Sequence, residues 1–526
     1  METSSNKDRY GFLFKDVKEY NKYLLTLVCC SILVLTGIIS YTVTNSYAKW
    51  SSSYTSNNTL KLSVKLPNID KSGANPPSLL SNMIPVYYDE TNSVWKKADS
   101  NNSDKNNKWY DYNDKMWANA VTVTSTNRDT YLNANVGTTI PMDDINTMWV
   151  WIPRYTYTYL NTNTPQEISI KFEKGTASTG TIKCTDAVTG TSSTSETCTD
   201  ETNGSLIAGT STYTHPAFWW DKDDDNVRET GEELTGIWVG KFEVSSDTTC
   251  TASSQVAVGS GCNLQTIRPQ IKPNVTSWRG AQVGTFFNGI QKMRESGNQY
   301  GFSTTDETHM MKNMEWGAVI YLAHSKYGIN KEIAINSAKT FTTGCGPQSE
   351  GSRSSGATCN GYTTTLGQSA STTGNVSGVY DMSGGAFEYM MGNMVYSNGQ
   401  PMSGRETSYN ANSAFTGILS DGTTYTGTYA FPSKRYYDKY SYGTSTTEYT
   451  RGKLGDATIE MAPTGYYGNW YQDYASFVNS GYPWVLRGGR YDNGASAGAF
   501  NFDNGNGIAS ASSSARAVLL GFGALD

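Results

Sequence analysis

The chain has 526 residues, with 41 Lys and Arg against 47 Asp and Glu for a net charge of -6. Nothing in that mildly acidic balance suggests a nucleic-acid surface, and no nucleic-acid partner is expected. Charged residues make up only 17% of the chain, and Tyr, Asn, Thr, Ser and Gly take their place. This composition suits an exported, strand-rich surface protein, with an ordinary all-β soluble domain carrying long loops as the alternative.

Residues 1–23 read as a short cytoplasmic tail. Leu24 to Val43 is an apolar run without charge, at about the twenty residues that cross a bilayer. Residues 24–44 are therefore expected to form a transmembrane helix or signal anchor. Lys7, Arg9, Lys15, Lys18 and Lys22 precede the run and only Lys49 closely follows it, which leaves the N-terminus inside the cell. The expected protein is single-pass in the cell membrane with its C-terminal domain outside. Ser46-Tyr-Ala48 also has the small residues of a signal-peptidase site, so secretion after cleavage near Ala48 stays open.

Residues 45–84 read as a stalk with one strand at Leu60, Leu62 and Val64. Residues 85–146 form a small β-rich region, with Val86-Tyr-Tyr88, Trp109-Tyr-Asp-Tyr112 and Trp117 to Val123 bounded by turn residues. The main body begins at residue 147 and runs to 526. Its first strand is Met148-Trp-Val-Trp-Ile152, a wholly apolar run suited to burial on both faces, and Pro153 ends it.

Two cysteines, Cys29 and Cys30, lie in the membrane run. The other six fall as Cys184 with Cys198, Cys250 with Cys262, and Cys345 with Cys359, each pair within a polar stretch. Six cysteines allow 15 pairings. Neighbour pairing is the economical one, because each bridge closes a loop that lacks a core and removes about 3 kcal/mol of chain entropy from the unfolded state. Metal binding competes, but no Cys-x-x-Cys is present.

Between these pairs, Asp221, Asp223, Asp225 and Glu232 stand at the first, third, fifth and twelfth places of a calcium-loop pattern. Asn226 stands where that pattern needs glycine. Calcium is thus the one cofactor the spacing admits, against a solvated acidic turn.

Two helices follow. Thr276 or Ser277 caps the first, whose stripe is Trp278, Ala281, Phe286, Ile290 and Met293. The second runs from about Met310 to Tyr327, with Gly328 as its stop. Both stripes are read as core. Residues 390–483 are rich in Tyr and Gly, a density that either lines a glycan or protein contact or packs a loop-rich layer.

The closing segment is the most distinctive. Gly378-Val-Tyr-Asp-Met-Ser-Gly-Gly-Ala-Phe-Glu-Tyr389 puts two glycines ahead of an acid between aromatics, and Trp484-Val-Leu-Arg-Gly-Gly-Arg-Tyr-Asp-Asn-Gly494 opens a strand. Ser514-Ala-Arg-Ala-Val-Leu-Leu520 closes another. The stretch between them, Ala495 to Ser513, is almost only small and polar residues and needs its flanking strands for support. Together with Pro273 to Trp278, Met314-Glu-Trp316, Trp149 to Tyr155 and Gly236 to Glu243, these motifs resemble, in order, the formylglycine-generating-enzyme-like (sulfatase-modifying factor) branch of the C-type lectin fold. The expected fold class is α+β: a C-type-lectin-like domain with two helices and short antiparallel strands, preceded by the transmembrane helix and the small β-rich region.

The enzymes of that branch use a pair of cysteines in the C-terminal part of the domain to handle copper and oxygen, whereas here no cysteine follows Cys359. No catalytic residue is therefore assigned, and binding is the expected function; an oxidase or modifying enzyme on the same scaffold, or a structural surface protein, are the alternatives. The C-terminal end further resembles the variable proteins of diversity-generating retroelements. That resemblance implies a diversified ligand-binding set of Arg490, Tyr491, Asp492, Asn501, Phe502, Asp503, Asn504, Asn506, Ile508 and Ser510, facing a protein or glycan ligand. Tyr and Phe offer contact area at small entropic cost while Asn and Ser adapt their hydrogen bonds.

Overall fold

The structure is a computed structural model. It describes residues 50–54, 60–64, 67–182, 212–250, 261–396, 401–402, 417–418, 424–425, 431–458 and 465–520, apart from positions 159, 161, 225–227, 229, 249 and 265. The chain divides into two units, Met1–Asn68 and Ile69–Asp526. In the first, β1 (Trp50–Tyr54) and β2 (Leu60–Val64) pair antiparallel, with Trp50 opposite Val64. Alternating Leu60, Leu62 and Val64 mark β2 in the sequence. Its partner is three serines between two aromatics and carries no such period, so a lone strand was all the pattern predicts.

In the second unit come β3 (Ile84–Asp89), β4 (Val94–Lys97), β5 (Asn119–Val123), the short helix α1 (Arg128–Asn133) and β6 (Ile145–Pro153). A three-stranded sheet follows, in which β7 (Tyr155–Thr158) sits between β8 (Ile170–Phe172) and β9 (Thr212–Thr214). Next are β10 (Gly236–Gly240), the two-residue pair β11 (Ser245–Ser246) and β12 (Pro269–Gln270), helix α2 (Val283–Gln291), β13 (Glu307–Met310), helix α3 (Asn313–Ala323) and the one-turn α4 (Thr365–Gln368). The C-terminal part holds β14 (Phe387–Met394), a small hairpin of β15 (Gly417–Ile418) and β16 (Thr424–Tyr425), then β17 (Asp438–Tyr440), β18 (Trp484–Arg487), β19 (Phe502–Gly505), β20 (Ser513–Ala515) and β21 (Ala517–Leu520).

The main sheet has seven strands in the order β13-β21-β10-β6-β5-β3-β4, antiparallel at every step. Strand β6 is buried at all nine positions, as its unbroken apolar run demands. Strands β3 to β5 hydrogen-bond directly into this sheet, which makes the aromatic region before residue 147 an edge extension of the main body.

The second sheet is mixed. Its order is β17-β14-β18-β19, and β20 also pairs with β14. Strand β14 runs parallel to β17 and β20 and antiparallel to β18, with a bulge between Tyr389 and Asn393. The last strands join the two sheets: β20 belongs to the second, β21 to the first, and Arg516 is the residue at the crossing.

This corrects the expected fold class. The described chain is sheet-rich with parallel as well as antiparallel pairing, and its longest helix, α3, has 11 residues. Among the described residues no helix is long and apolar enough to cross a membrane. Much of the apolar sequence of the body lies in strands buried along their whole length, such as β6 and β10. The predicted span 24–44 lies outside the described residues, so the membrane anchor and the cell-membrane placement built on it are withdrawn.

Helix boundaries shifted for local reasons. Helix α2 starts at Val283, not beside Thr276 or Ser277, because Ser277 and Trp278 are spent on backbone bonds to Phe341 and Val244. Met310 lies in β13, and α3 begins only after Lys312, whose backbone N–H donates to Glu315 Oε2 at 2.7 Å. That contact satisfies one donor at the helix start.

Candidate functional site

The two glycine motifs meet at a buried charge cluster. Gly385 has φ +72°, and a Cβ there would lie 2.4 Å from Glu243 Oε1; Gly489 has φ +71°, and its Cβ would lie 2.6 Å from Ala497 Cα. Only glycine satisfies both the left-handed backbone and the close approach. Beyond the first turn, Glu388 faces Arg516, whose guanidinium donates to Glu388 Oε1 at 2.5 Å and Oε2 at 2.9 Å. Arg516 also donates to the carbonyls of Gly240 and Tyr380, so one residue of the last crossing ties β14, β10 and the turn before Asp381. Both side chains are fully buried.

Glu243 and Asp381 complete the cluster. Glu243 Oε1 accepts from the Ala386 N–H at 2.8 Å, and Asp381 Oδ1 accepts from Asn336 Nδ2 and the Gly344 N–H, each at 2.8 Å. Burial raises the pKa of all three acids, Glu388 to about 7 despite Arg516. Glu388 is thus fixed by an ion pair at the joint of two sheets, with no path to solvent.

The residues implied as a ligand-binding set do not form one patch. Asn501 and Phe502 are buried. The Phe502 ring stacks on Phe477 with centroids 5.0 Å apart, and the Arg487 guanidinium lies 4.7 Å over it. Arg490, Tyr491 and Asp492 sit on a turn at the surface, where Arg490 pairs with Asp492 and Tyr491 packs edge-on against Phe341 at 4.7 Å. Phe341 in turn carries Arg279 over its face at 3.8 Å. Asn506, Ile508 and Ser510 are half-buried in the loop between β19 and β20, with Ser510 O accepting from the Gly280 N–H. Asp503 and Asn504 are half-buried; Asn504 Nδ2 donates to Ser476 Oγ at 2.7 Å.

That last contact leads to a surface the motif resemblance does not single out. Among the described residues, the exposed large hydrophobic side chains are Val136 and five tyrosines: Tyr396, Tyr442, Tyr466, Tyr467 and Tyr482. All five come from the Tyr-rich stretch, and their segments are hydrogen-bonded edge to edge. Val395 N–H donates to Tyr440 O, Ser480 to Gly443, Phe477 to Thr446 and Ala475 to Tyr466. The Tyr466 ring stacks on Tyr474 at 5.6 Å and Tyr467 meets Tyr474 edge-on at 5.9 Å. Strand β19 flanks this rim, since Ser476 N–H donates to Phe502 O. The signal available in the sequence was tyrosine density alone; which rings face outward depends on the fold.

The acidic turn converges in part. Carboxylate oxygens of Asp221, Asp223 and Glu232 lie within 4.8 Å of one another, and Asp225 lies outside the described residues. Both Glu232 oxygens already accept bonds, from Trp219 Nε1 at 2.9 Å and the Lys222 N–H at 2.6 Å. Asp224, which the calcium pattern does not use, accepts from Ser433 and the Arg435 N–H and anchors the turn to the segment before β17.

Of the cysteine pairs, Cys345 and Cys359 are bridged, with Cα atoms 5.1 Å apart. The expected bridge between Cys250 and Cys262 is not formed: both are free thiols, buried in the core, whose packing holds them in place without a covalent link. Burial and a hydrogen bond with the Cys262 thiol push the Cys250 thiol up to about 12. Cys184 and Cys198 lie outside the described residues. The three histidines are all interior: His309 Nε2 pairs with Glu315 at 2.9 Å, His215 is walled by aromatic rings, and His324 Nε2 meets the Tyr471 hydroxyl at 2.8 Å.

No protein-family model matches this chain, and no curated protein matches it either.

Proposed function

We propose that this chain is a ligand-binding protein whose contact surface is the tyrosine rim spanning Tyr396 to Tyr482, bordered by Asp503 and Asn504, and whose ligand is a protein or a glycan. The observation that carries this reading is the concentration of exposed rings: apart from Val136, every exposed large hydrophobic side chain described belongs to this one set of edge-bonded segments. A soluble chain leaves such rings outside at a cost unless they are used, and tyrosine offers a large, stiff, amphipathic contact. Asp503 and Asn504 border the rim on β19, where the Asn504 amide holds the Ser476–Phe477 segment that carries it.

The test screens the purified full chain against a glycan array and a panel of cell-surface proteins. The wild type is expected to retain a ligand, and the Tyr466→Ala/Tyr467→Ala double variant is expected to lose at least tenfold in affinity at unchanged melting temperature. Retention of full affinity by that variant, with loss in a variant of Arg490 and Asp492, would move the contact to the Arg490 turn.

A further inference from the structure

A cleft of about 610 Å³ opens between the loop closed by Cys345–Cys359 and the segment carrying Tyr471. None of the exposed tyrosines lines it. Its volume falls within the roughly 300–1,000 Å³ of ligand pockets.

Both walls are held in place. The bridged loop contributes Glu350 and Arg353, and Arg353 fastens it by pairing with Glu332 and donating to the carbonyls of Ala495 at 2.6 Å and Ala497 at 2.8 Å. Asp473 Oδ1 lies 3.5 Å from the same guanidinium. Across the cleft, Tyr471 and Gln472 are consecutive non-glycine residues at φ +62° and +66°, a costly backbone that persists only where the surroundings impose it. The Tyr471 hydroxyl is fixed by His324 Nε2 at 2.8 Å, and burial holds that histidine neutral, its pKa lowered to about 4. The cleft is therefore formed before any ligand arrives.

Its lining selects among ligand classes. Ile329, Ile335 and Leu366 give it an aliphatic floor, and Tyr471, its one aromatic lining residue, packs against His324 and Phe500. Arg353 and Glu332 neutralise each other. Lys331 and Glu350 remain, both exposed and neither in an ion pair among the described residues. One free charge of each sign over an aliphatic floor disfavours a polyanion such as a nucleotide and fits a zwitterion with apolar side chains.

We propose that this cleft binds a short apolar peptide through its free termini, the carboxylate toward Lys331, the ammonium toward Glu350, and the side chains on Ile329, Ile335 and Leu366. The proposal does not depend on the tyrosine rim.

The experiment is saturation-transfer NMR and calorimetry on the full, oxidised chain with unblocked trileucine as the probe, beside its acetylated and amidated form, maltotriose and ATP. Unblocked trileucine is expected to bind, and blocking both termini to weaken it at least tenfold. Lys331→Glu, at an exposed position that leaves the fold intact, is expected to weaken it by a similar factor, and Leu366→Trp to abolish it by filling the floor. Absence of trileucine binding, affinity unchanged by Lys331→Glu, or binding of maltotriose or ATP in its place would overturn the proposal. Should Leu366→Trp fail to fold, the Lys331→Glu and blocked-terminus results still decide.

Discussion

At the scale of single residues, two aromatic positions drawn from one motif have opposite roles. Phe502 is enclosed by Phe477, Tyr440 and Arg487, so Phe502→Ala removes a core ring and is expected to cost about 3–5 kcal/mol. Tyr491 lies half-buried against Phe341, and its truncation is expected to leave the urea midpoint close to that of the wild type. Equal midpoints for the two variants would contradict this assignment. Asp473 offers a pH test. Burial raises its pKa from 3.8 to about 7, partly opposed by Arg353. A raised folded-state pKa means that the stabilisation is complete below the unfolded value and is lost as pH rises through about 7. Buried His215 and His324, with lowered pKa values, act in the opposite sense below pH about 6.5, so the test is a difference. Asp473→Asn mimics the protonated acid and should gain melting temperature relative to the wild type between pH 5 and pH 8. A constant difference would show that Asp473 does not titrate in that window.

At the scale of elements, the joint between the sheets rests on a single side chain. Strands β20 and β21 belong to different sheets, and Arg516 between them reaches β14 through Glu388 and β10 through Gly240. Removing one partner of a fully buried pair strands the other, at about 3–5 kcal/mol. Arg516→Met is therefore expected to lower stability by that amount in urea unfolding, and Arg516→Met/Glu388→Leu to recover part of it, because the Glu388 carboxylate is then no longer stranded beside Glu243 and Asp381. A double variant as unstable as the single one would mean that the carbonyl contacts of Arg516, rather than the ion pair, hold the joint. The glycine at 385 serves the same joint by letting Glu243 approach the backbone.

At the scale of the whole molecule, what could be read depended on whether a pattern is local. The apolar run at Met148 to Ile152 has no polar face, so its burial on both sides followed from the sequence alone, as did the strands around Trp484 and Val518; neighbour pairing of cysteines held at Cys345 and Cys359 but not at Cys250 and Cys262. The existence of helices near Phe286 and Trp316 was legible from apolar spacing, but their starts were not, since backbone bonds to distant Val244 and Phe341 took Ser277 and Trp278 out of the first helix. The pairing of Arg516 with Glu388 and the inward turn of Phe502 against Phe477 are settled by partners more than twenty residues away in sequence, and the outward turn of Tyr466 and Tyr467 by how their turn meets the rest of the body. By itself the sequence determined the buried apolar strands and the crude helices, because period and composition act over a few residues. Only the tertiary structure decided which polar and aromatic groups are inside, because burial is a property of the packed whole and not of any segment.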